Sequence, residues 1–141
     1  MREELADFYA GLRHSSLEKG NPQAPELAPD SNGLIWLPDG ALATAFTQNA
    51  SATDQAALAA VQRPISPSCI TVPAGRPLWR NIPTWFLIAE DDRMIVPETQ
   101  RYMAERMRAK IKSHVVDHTP SVTAPGAVVD IIREAIRSVA G

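Results

Sequence analysis

The spacing of hydrophobic residues changes near residue 82. Beyond it, a continuous apolar run covers residues 83–89, and a second strand is predicted over residues 111–116. Apolar positions follow a helical period over residues 97–109 and again over residues 125–139. Continuous apolar runs are typical of strands buried on both faces, as in parallel sheets. The second half is therefore predicted to be strand–helix–strand–helix, with two parallel strands joined by a helical crossover.

The first half is expected to be rich in loops. Eight of the twelve prolines lie before residue 80, and proline breaks helix interiors. A helix in this half is best supported where Thr53 is a plausible N-cap to an apolar stripe. The elements expected here are helices over residues 2–12, 41–49 and 52–63, an extended piece over 33–37, and loops over 13–32 and 64–82.

Composition excludes several classes of function. The 141 residues suit one domain, are 45% apolar and carry a formal charge of −2, so no electrostatic footprint for nucleic acid or an anionic membrane is expected. No apolar run reaches the length of a membrane span, and the N-terminus lacks the apolar stretch of a signal peptide. The single cysteine, Cys69, excludes an internal disulfide. A cytoplasmic protein is the expectation.

Two chemically capable side chains follow the two predicted strands. Asp92 comes just after the first strand and His118 just after the second. Chemistry in open α/β sheets gathers at the carboxyl ends of strands, and an imidazole needs a carboxylate to fix its tautomer. Spacing alone also allows an ordinary strand-end acid and loop histidine, and Glu90 and Asp91 compete with Asp92 as the acid.

The sequence around these residues resembles the α/β-hydrolase fold family, and most closely its small bacterial esterase-like members. Residues 83–97 (PTWFLIAEDDRMIVP) look like that family's strand and acid-bearing turn, and residues 100–107 resemble the helix that follows. Asp117-His118-Thr119 and the residues from Pro125 are similar to its histidine loop and final helix. Residues 36–39 and 60–65 look like its lid. The resemblance covers nearly the whole chain.

The resemblance implies specific roles. Asp92 would be the triad acid, because it precedes the Arg-x-Ile-x-Pro stretch, and His118 would be the general base. It divides the chain into a lid-like segment, residues 1–82, and a C-terminal βαβα portion of the hydrolase core, residues 83–141. One departure is Asp117, which replaces the small residue usual before the histidine and adds a second carboxylate beside it. The parent activity would be ester hydrolysis, with a small ester as ligand and no cofactor or metal.

The nucleophile elbow of that family is missing. It requires Gly-x-Ser-x-Gly, and no two of the seven glycines are four residues apart. The serine and oxyanion hole are therefore expected from an upstream segment or from another chain. Because two strands cannot complete a wide parallel sheet, a homo-oligomer or a partner chain that supplies the missing half is expected. The alternative is a non-catalytic remnant that acts as a binding or interaction subunit.

The sequence offers two further candidate sites. His114, Asp117 and His118 could suggest a metal site, but strand alternation directs Asp117 away from the two histidines and no third ligand is evident. Cys69 could replace serine as the nucleophile, but nothing around it is activating, and a lone cysteine is more often a small buried hydrophobe.

Overall fold

The computed structural model describes residues 25–72 and 75–140. The helix predicted over residues 2–12 lies outside the described residues, as does most of the predicted loop over 13–32. The elements in chain order are a π-helical turn (Leu42–Phe46), α1 (Ala52–Ala60), α2 (Ser68–Thr71), a 3-10 helical turn (Leu78–Arg80), β1 (Trp85–Ala89), α3 (Pro97–Arg106), β2 (Lys110–His114), α4 (Pro120–Thr123) and α5 (Pro125–Val139).

The two strands form a parallel pair, as the apolar pattern predicts. Trp85 lies opposite Lys110 at one end of the pair and Ala89 lies opposite His114 at the other. Ile88 of β1 is fully buried, whereas β2 carries a single apolar residue, Ile111, and is largely exposed. The carboxyl ends of both strands therefore meet at one edge, where the acid and histidine loops begin.

The two long helices agree with the predicted periods. Both α3 and α5 begin at a proline, which suits the first helical turn because that position needs no amide donor. Within α3, Ala104 is fully buried. An ion pair between Lys112 of β2 and Glu134 of α5 (2.8 Å) attaches the last helix to the sheet.

The apolar stripe of α5 is only partly covered. Ile131 is buried, but Ile132, Ile136 and Val139 are each more than half exposed. The two strands of the described residues cover only part of this stripe. No helix in residues 25–72 or 75–140 is long and apolar enough to cross a bilayer.

The first half departs from its predicted boundaries. The N-cap of α1 is Ser51, whose hydroxyl accepts a hydrogen bond from the amide of Asp54 (3.1 Å), so the expectation for Thr53 was wrong by two residues. The helix expected over residues 41–49 is only the turn Leu42–Phe46, and the one over 52–63 ends at Ala60. The predicted loop over 64–82 contains α2 and the 3-10 turn. Each follows a proline, which breaks helix interiors but is tolerated at a helix start.

Candidate active site

The carboxyl ends of the two strands bring Asp92 and His118 into contact. Asp92 lies three residues beyond β1 and His118 four residues beyond β2. His118 Nδ1 lies 2.9 Å from Asp92 Oδ2, with the side chains 26% and 5% exposed respectively. A histidine that meets a buried carboxylate through Nδ1 presents Nε2 as the nitrogen able to take a proton.

The Asp92 carboxylate is held on both oxygens. Its Oδ1 accepts hydrogen bonds from the amides of Met94 (2.7 Å) and Ile95 (2.9 Å), so the turn after β1 folds around the side chain. Its Oδ2 accepts from Gln100 Nε2 (2.9 Å) in addition to meeting the histidine. These donors engage both carboxylate oxygens and fix the oxygen that faces the ring.

Gln100 belongs to the candidate site and was missed by sequence reasoning. It is 5% exposed on α3, and its Oε1 accepts a hydrogen bond from the amide of Ala89 (3.0 Å) at the end of β1. Its Nε2 donates to the carbonyl of Ile95 (2.8 Å) as well as to Asp92. One side chain therefore joins the strand end, the acid and the acid-bearing turn. The sequence does contain a signal for a buried polar contact, because Gln100 lies on the same face of α3 as Met103 and the buried Ala104.

Glu90, one of the two competing acids, points away from the histidine. It bonds to Ser113 and Arg101 at the surface. The hydrogen bond from Ser113, followed by the bond to and charge of Arg101, holds the pKa of Glu90 below its usual range. Glu90 therefore acts as a surface link between β1, β2 and α3.

Asp91, the other competing acid, joins the acid turn to the first half of the chain. Gln48 Nε2 donates to the Asp91 carbonyl (2.7 Å), and the Arg93 guanidinium lies 3.9 Å from the Asp91 carboxylate. Arg93 also donates to the carbonyl of Thr44 (2.9 Å). Both bonds anchor residues 42–49, here termed the bridging segment, on the acid turn.

The bridging segment also reaches the histidine. The ring of Phe46 lies 4.8 Å from the imidazole of His118, centroid to centroid, at an interplanar angle of 57°. Thr119 Oγ1 donates to the carbonyl of Phe46 (3.4 Å). Phe46 is a second residue that sequence reasoning missed, because its neighbour in space is 72 positions away in the chain.

Asp117 does not act as a second partner for the imidazole in this geometry. It is fully buried, and its carboxylate accepts hydrogen bonds from the Thr119 amide (3.0 Å), the two hydroxyls of Thr119 and Thr123, and the Asn49 amide (3.1 Å). The expectation of a second carboxylate beside His118 is therefore replaced by a buried acid that organises the loop.

Cys69, the alternative nucleophile, and two serines whose hydroxyls could be considered for that role lie in other surroundings. Ser51 caps α1, and the hydroxyl of Ser66 shares a hydrogen bond with Ser68. Cys69 is exposed, so the expectation that it is a small buried hydrophobe was wrong. No three metal-ligating side chains come together within the described ranges, and His114 lies exposed at the end of β2.

Comparison with known proteins identifies the family. The profile described as "Alpha/beta hydrolase family" matches residues 5–131. Among solved structures, polyneuridine aldehyde esterase is similar with a TM-score of 0.63 and 17% identity, over 78% of this chain and 47% of that chain. Its histidine-to-alanine mutant also gives a TM-score of 0.63 at 17% identity, over 87% and 56%.

The two solved structures share part of their length with this chain. At this identity the two structures show the fold alone, and the chain spans about half the length of the esterases that it matches. Comparison with curated protein sequences gives no match. The family profile, however, covers most of the chain, and the parallel strands carry an acid and a histidine in the family's order. The chain belongs to the α/β-hydrolase family.

Proposed function

We propose that Asp92 and His118 are the acid and general base of an esterase-type site, whose serine and oxyanion hole come from outside this chain. One observation carries the proposal: the 2.9 Å contact from His118 Nδ1 to an Asp92 carboxylate that is 5% exposed. A buried, fully hydrogen-bonded carboxylate on Nδ1 is the arrangement that a general-base histidine requires. The esterase neighbours support ester hydrolysis as the parent reaction.

The chemistry follows from the ring orientation. His118 Nε2 would remove the hydroxyl proton of the serine as its oxygen attacks the ester carbonyl. Asp92 stabilises the imidazolium that forms. The imidazolium then returns the proton to the departing alkoxide as the carbon–oxygen bond breaks, which leaves an acyl-serine. A water molecule, deprotonated by the same nitrogen, releases the acid and regenerates the serine.

The sequence and the matched lengths support a nucleophile that comes from outside this chain. The chain contains no Gly-x-Ser-x-Gly, and it corresponds to 47% and 56% of the two esterase chains. We assign residues 83–141 to the C-terminal portion of the hydrolase core. Residues 1–82 are assigned to a lid-like segment, supported by the bridging segment lying against both the acid turn and the histidine loop. An upstream segment or a partner chain supplies the serine and the oxyanion hole, because further copies of this chain also lack the elbow. A homo-oligomer accounts only for covering the open edge of the sheet.

Ester turnover tests the proposal. The chain is assayed with p-nitrophenyl acetate, alone and together with an N-terminal α/β-hydrolase fragment that carries the Gly-x-Ser-x-Gly elbow. Turnover is expected only in the mixture, and His118→Ala and Asp92→Asn should abolish it. His114→Ala is the matched control, because this histidine is exposed and lies at the end of β2. It should leave the rate unchanged.

Two results would contradict this proposal. Turnover by the chain alone that disappears in His118→Ala would show that the nucleophile lies within the chain. Equal turnover by the wild type and His118→Ala, both alone and with the N-terminal fragment, would show that His118 is not the general base. The second result would favour the other candidate function.

That second candidate is a non-catalytic binding or interaction subunit. The observation that favours it is the exposed apolar stripe of α5, where Ile132, Ile136 and Val139 are 51%, 57% and 65% exposed. Both candidates require that another chain or segment cover this surface. If another copy of this chain covers the surface, sedimentation of the purified chain should show an oligomer. A well-folded monomer would contradict a homo-oligomer.

A further inference from the structure

We infer that Asp117 is a positioning residue, which holds His118 against Asp92 by tying the histidine loop to the bridging segment. This inference rests on the proposed function, because positioning matters only if His118 acts as a base. It assigns a role to the residue at which the sequence departs from the family pattern. Asp117 acts by fixing the positions of other groups, since its carboxylate bonds to neighbouring residues of the histidine loop and to the bridging segment.

The bonding of Asp117 joins two separate parts of the chain. Its Oδ1 accepts from the Thr119 amide (3.0 Å), the Thr119 hydroxyl (3.2 Å) and the Thr123 hydroxyl (2.7 Å), all beyond His118 in the chain. Its Oδ2 accepts from the amide of Asn49 (3.1 Å), at the end of the bridging segment. Because the residue is fully buried, water cannot replace these donors.

The two parts that Asp117 joins are the ones that confine the imidazole. One is the backbone that carries His118, which the bond from the Thr119 amide to Asp117 fixes just after the histidine. The other is the bridging segment, whose Phe46 ring lies 4.8 Å from the imidazole. Thr119 lies at this join, since its single hydroxyl proton is within reach of the Phe46 carbonyl (3.4 Å) as well as of Asp117 (3.2 Å). Loss of the Asp117 bonds should therefore loosen both the backbone that carries His118 and the packing of Phe46 against the imidazole.

A carboxylate suits this position better than an amide. Every bond that Asp117 makes comes from a donor, on both of its oxygens. Asparagine has one oxygen and one NH₂ group, so either orientation places a donor against a donor. Asp117→Asn is therefore nearly isosteric but cannot hold both the threonine side and the Asn49 side.

The tautomer of His118 reports its position directly. Long-range proton–nitrogen NMR spectra of the full chain show which ring nitrogen carries the proton when the ring is neutral. In the wild type, His118 is expected to carry it on Nδ1, bonded to Asp92. Asp117→Asn should give a mixture of both tautomers. Asp130→Asn, at an exposed acid on α5, is the control and should match the wild type.

A folded Asp117→Asn protein with the wild-type tautomer would overturn the inference. If this variant does not fold, Thr123 provides the second test. Thr123→Val removes the 2.7 Å bond to Asp117, and Thr123→Ser keeps it. The valine variant should show the mixture and the serine variant the wild-type state, whereas identical spectra would overturn the inference.

The measurement is independent of the esterase proposal. It needs neither a nucleophile nor a substrate, so absence of ester turnover leaves the expected spectra unchanged. In the reconstituted assay, Asp117→Asn should lower kcat with little change in KM, because it disturbs the base and not the pocket that binds the ester. Wild-type spectra together with lost turnover would show that Asp117 acts through something other than the histidine.

Discussion

Replacement of Gln100 by leucine should destabilise the protein far more than an ordinary loss of one hydrogen bond. Gln100 is 5% exposed, and leucine has a similar volume, so the effect is one of bonding. Without the side chain, the amide of Ala89 loses its acceptor at the end of β1. A buried donor left without a partner costs about 1–3 kcal/mol. Asp92 Oδ2 also loses the donor at 2.9 Å, and a hydrogen bond to a charged group contributes about 1.5–3 kcal/mol.

The expected loss for Gln100→Leu is therefore about 2.5–6 kcal/mol in the free energy of unfolding. Urea titration followed by circular dichroism measures it. The matched control is Gln62→Leu, which removes a single bond from the Leu37 amide (2.7 Å) and should cost about 1 kcal/mol. Equal destabilisation in the two variants would refute the account of Gln100 as the link between the strand end and the acid.

Three further outcomes follow from the packing and the charges. Ile88→Ala should cost about 2–5 kcal/mol, because Ile88 is fully buried, whereas a loss below that range in urea titration would show that the sheet core is loose. Glu90→Gln should lower stability by less than about 1 kcal/mol at neutral pH. Since folding lowers the pKa of Glu90, its contribution is present above the ordinary value of 4.5 and disappears as pH falls through the folded-state pKa. A difference that grows in acid would contradict this sign. Phe46→Ala should speed the reaction of His118 with diethyl pyrocarbonate, and an unchanged rate would show that Phe46 does not shield the ring.

The second half of the fold could be predicted from sequence because its signals are local. The apolar run at residues 83–89 and the helical stripes have periods that depend on near neighbours, and both helices start at prolines. The first half has weaker local signals. At the start of α1, Ser51 and Thr53 are both residue types that favour an N-cap, and the structure places the cap at Ser51.

The candidate site was predictable in outline only. Strand-end placement suffices to bring Asp92 and His118 together, since parallel strands end at the same edge. The supporting residues depend on contacts between distant parts of the chain. Phe46 and Asn49 reach the histidine loop through the course of a segment whose path no local pattern specifies. For Gln100, the sequence indicates a buried polar side chain, because it interrupts an apolar stripe. It does not indicate that Ala89 and Asp92 are the bonding partners.

The bond from Ala89 to Gln100 has a consequence for the open side of β1. Register and alternation turn the amides of Phe86, Ile88 and Glu90 toward β2, as the bond from the Glu90 amide to the His114 carbonyl (2.9 Å) shows. Those of Trp85, Leu87 and Ala89 face the other way, where the described residues contribute no strand.

Hydrogen exchange should therefore alternate along this strand, slow at Phe86 and Ile88 and fast at Trp85 and Leu87. Ala89 should break the alternation, because a side chain protects it in place of a strand. When another strand joins this edge, protection should spread to Trp85 and Leu87 and stop before Ala89. Uniform exchange along the open side would contradict this reading. Gln100 thus ends strand pairing at Ala89. A strand added at this edge of β1 would therefore not extend to the acid turn that follows.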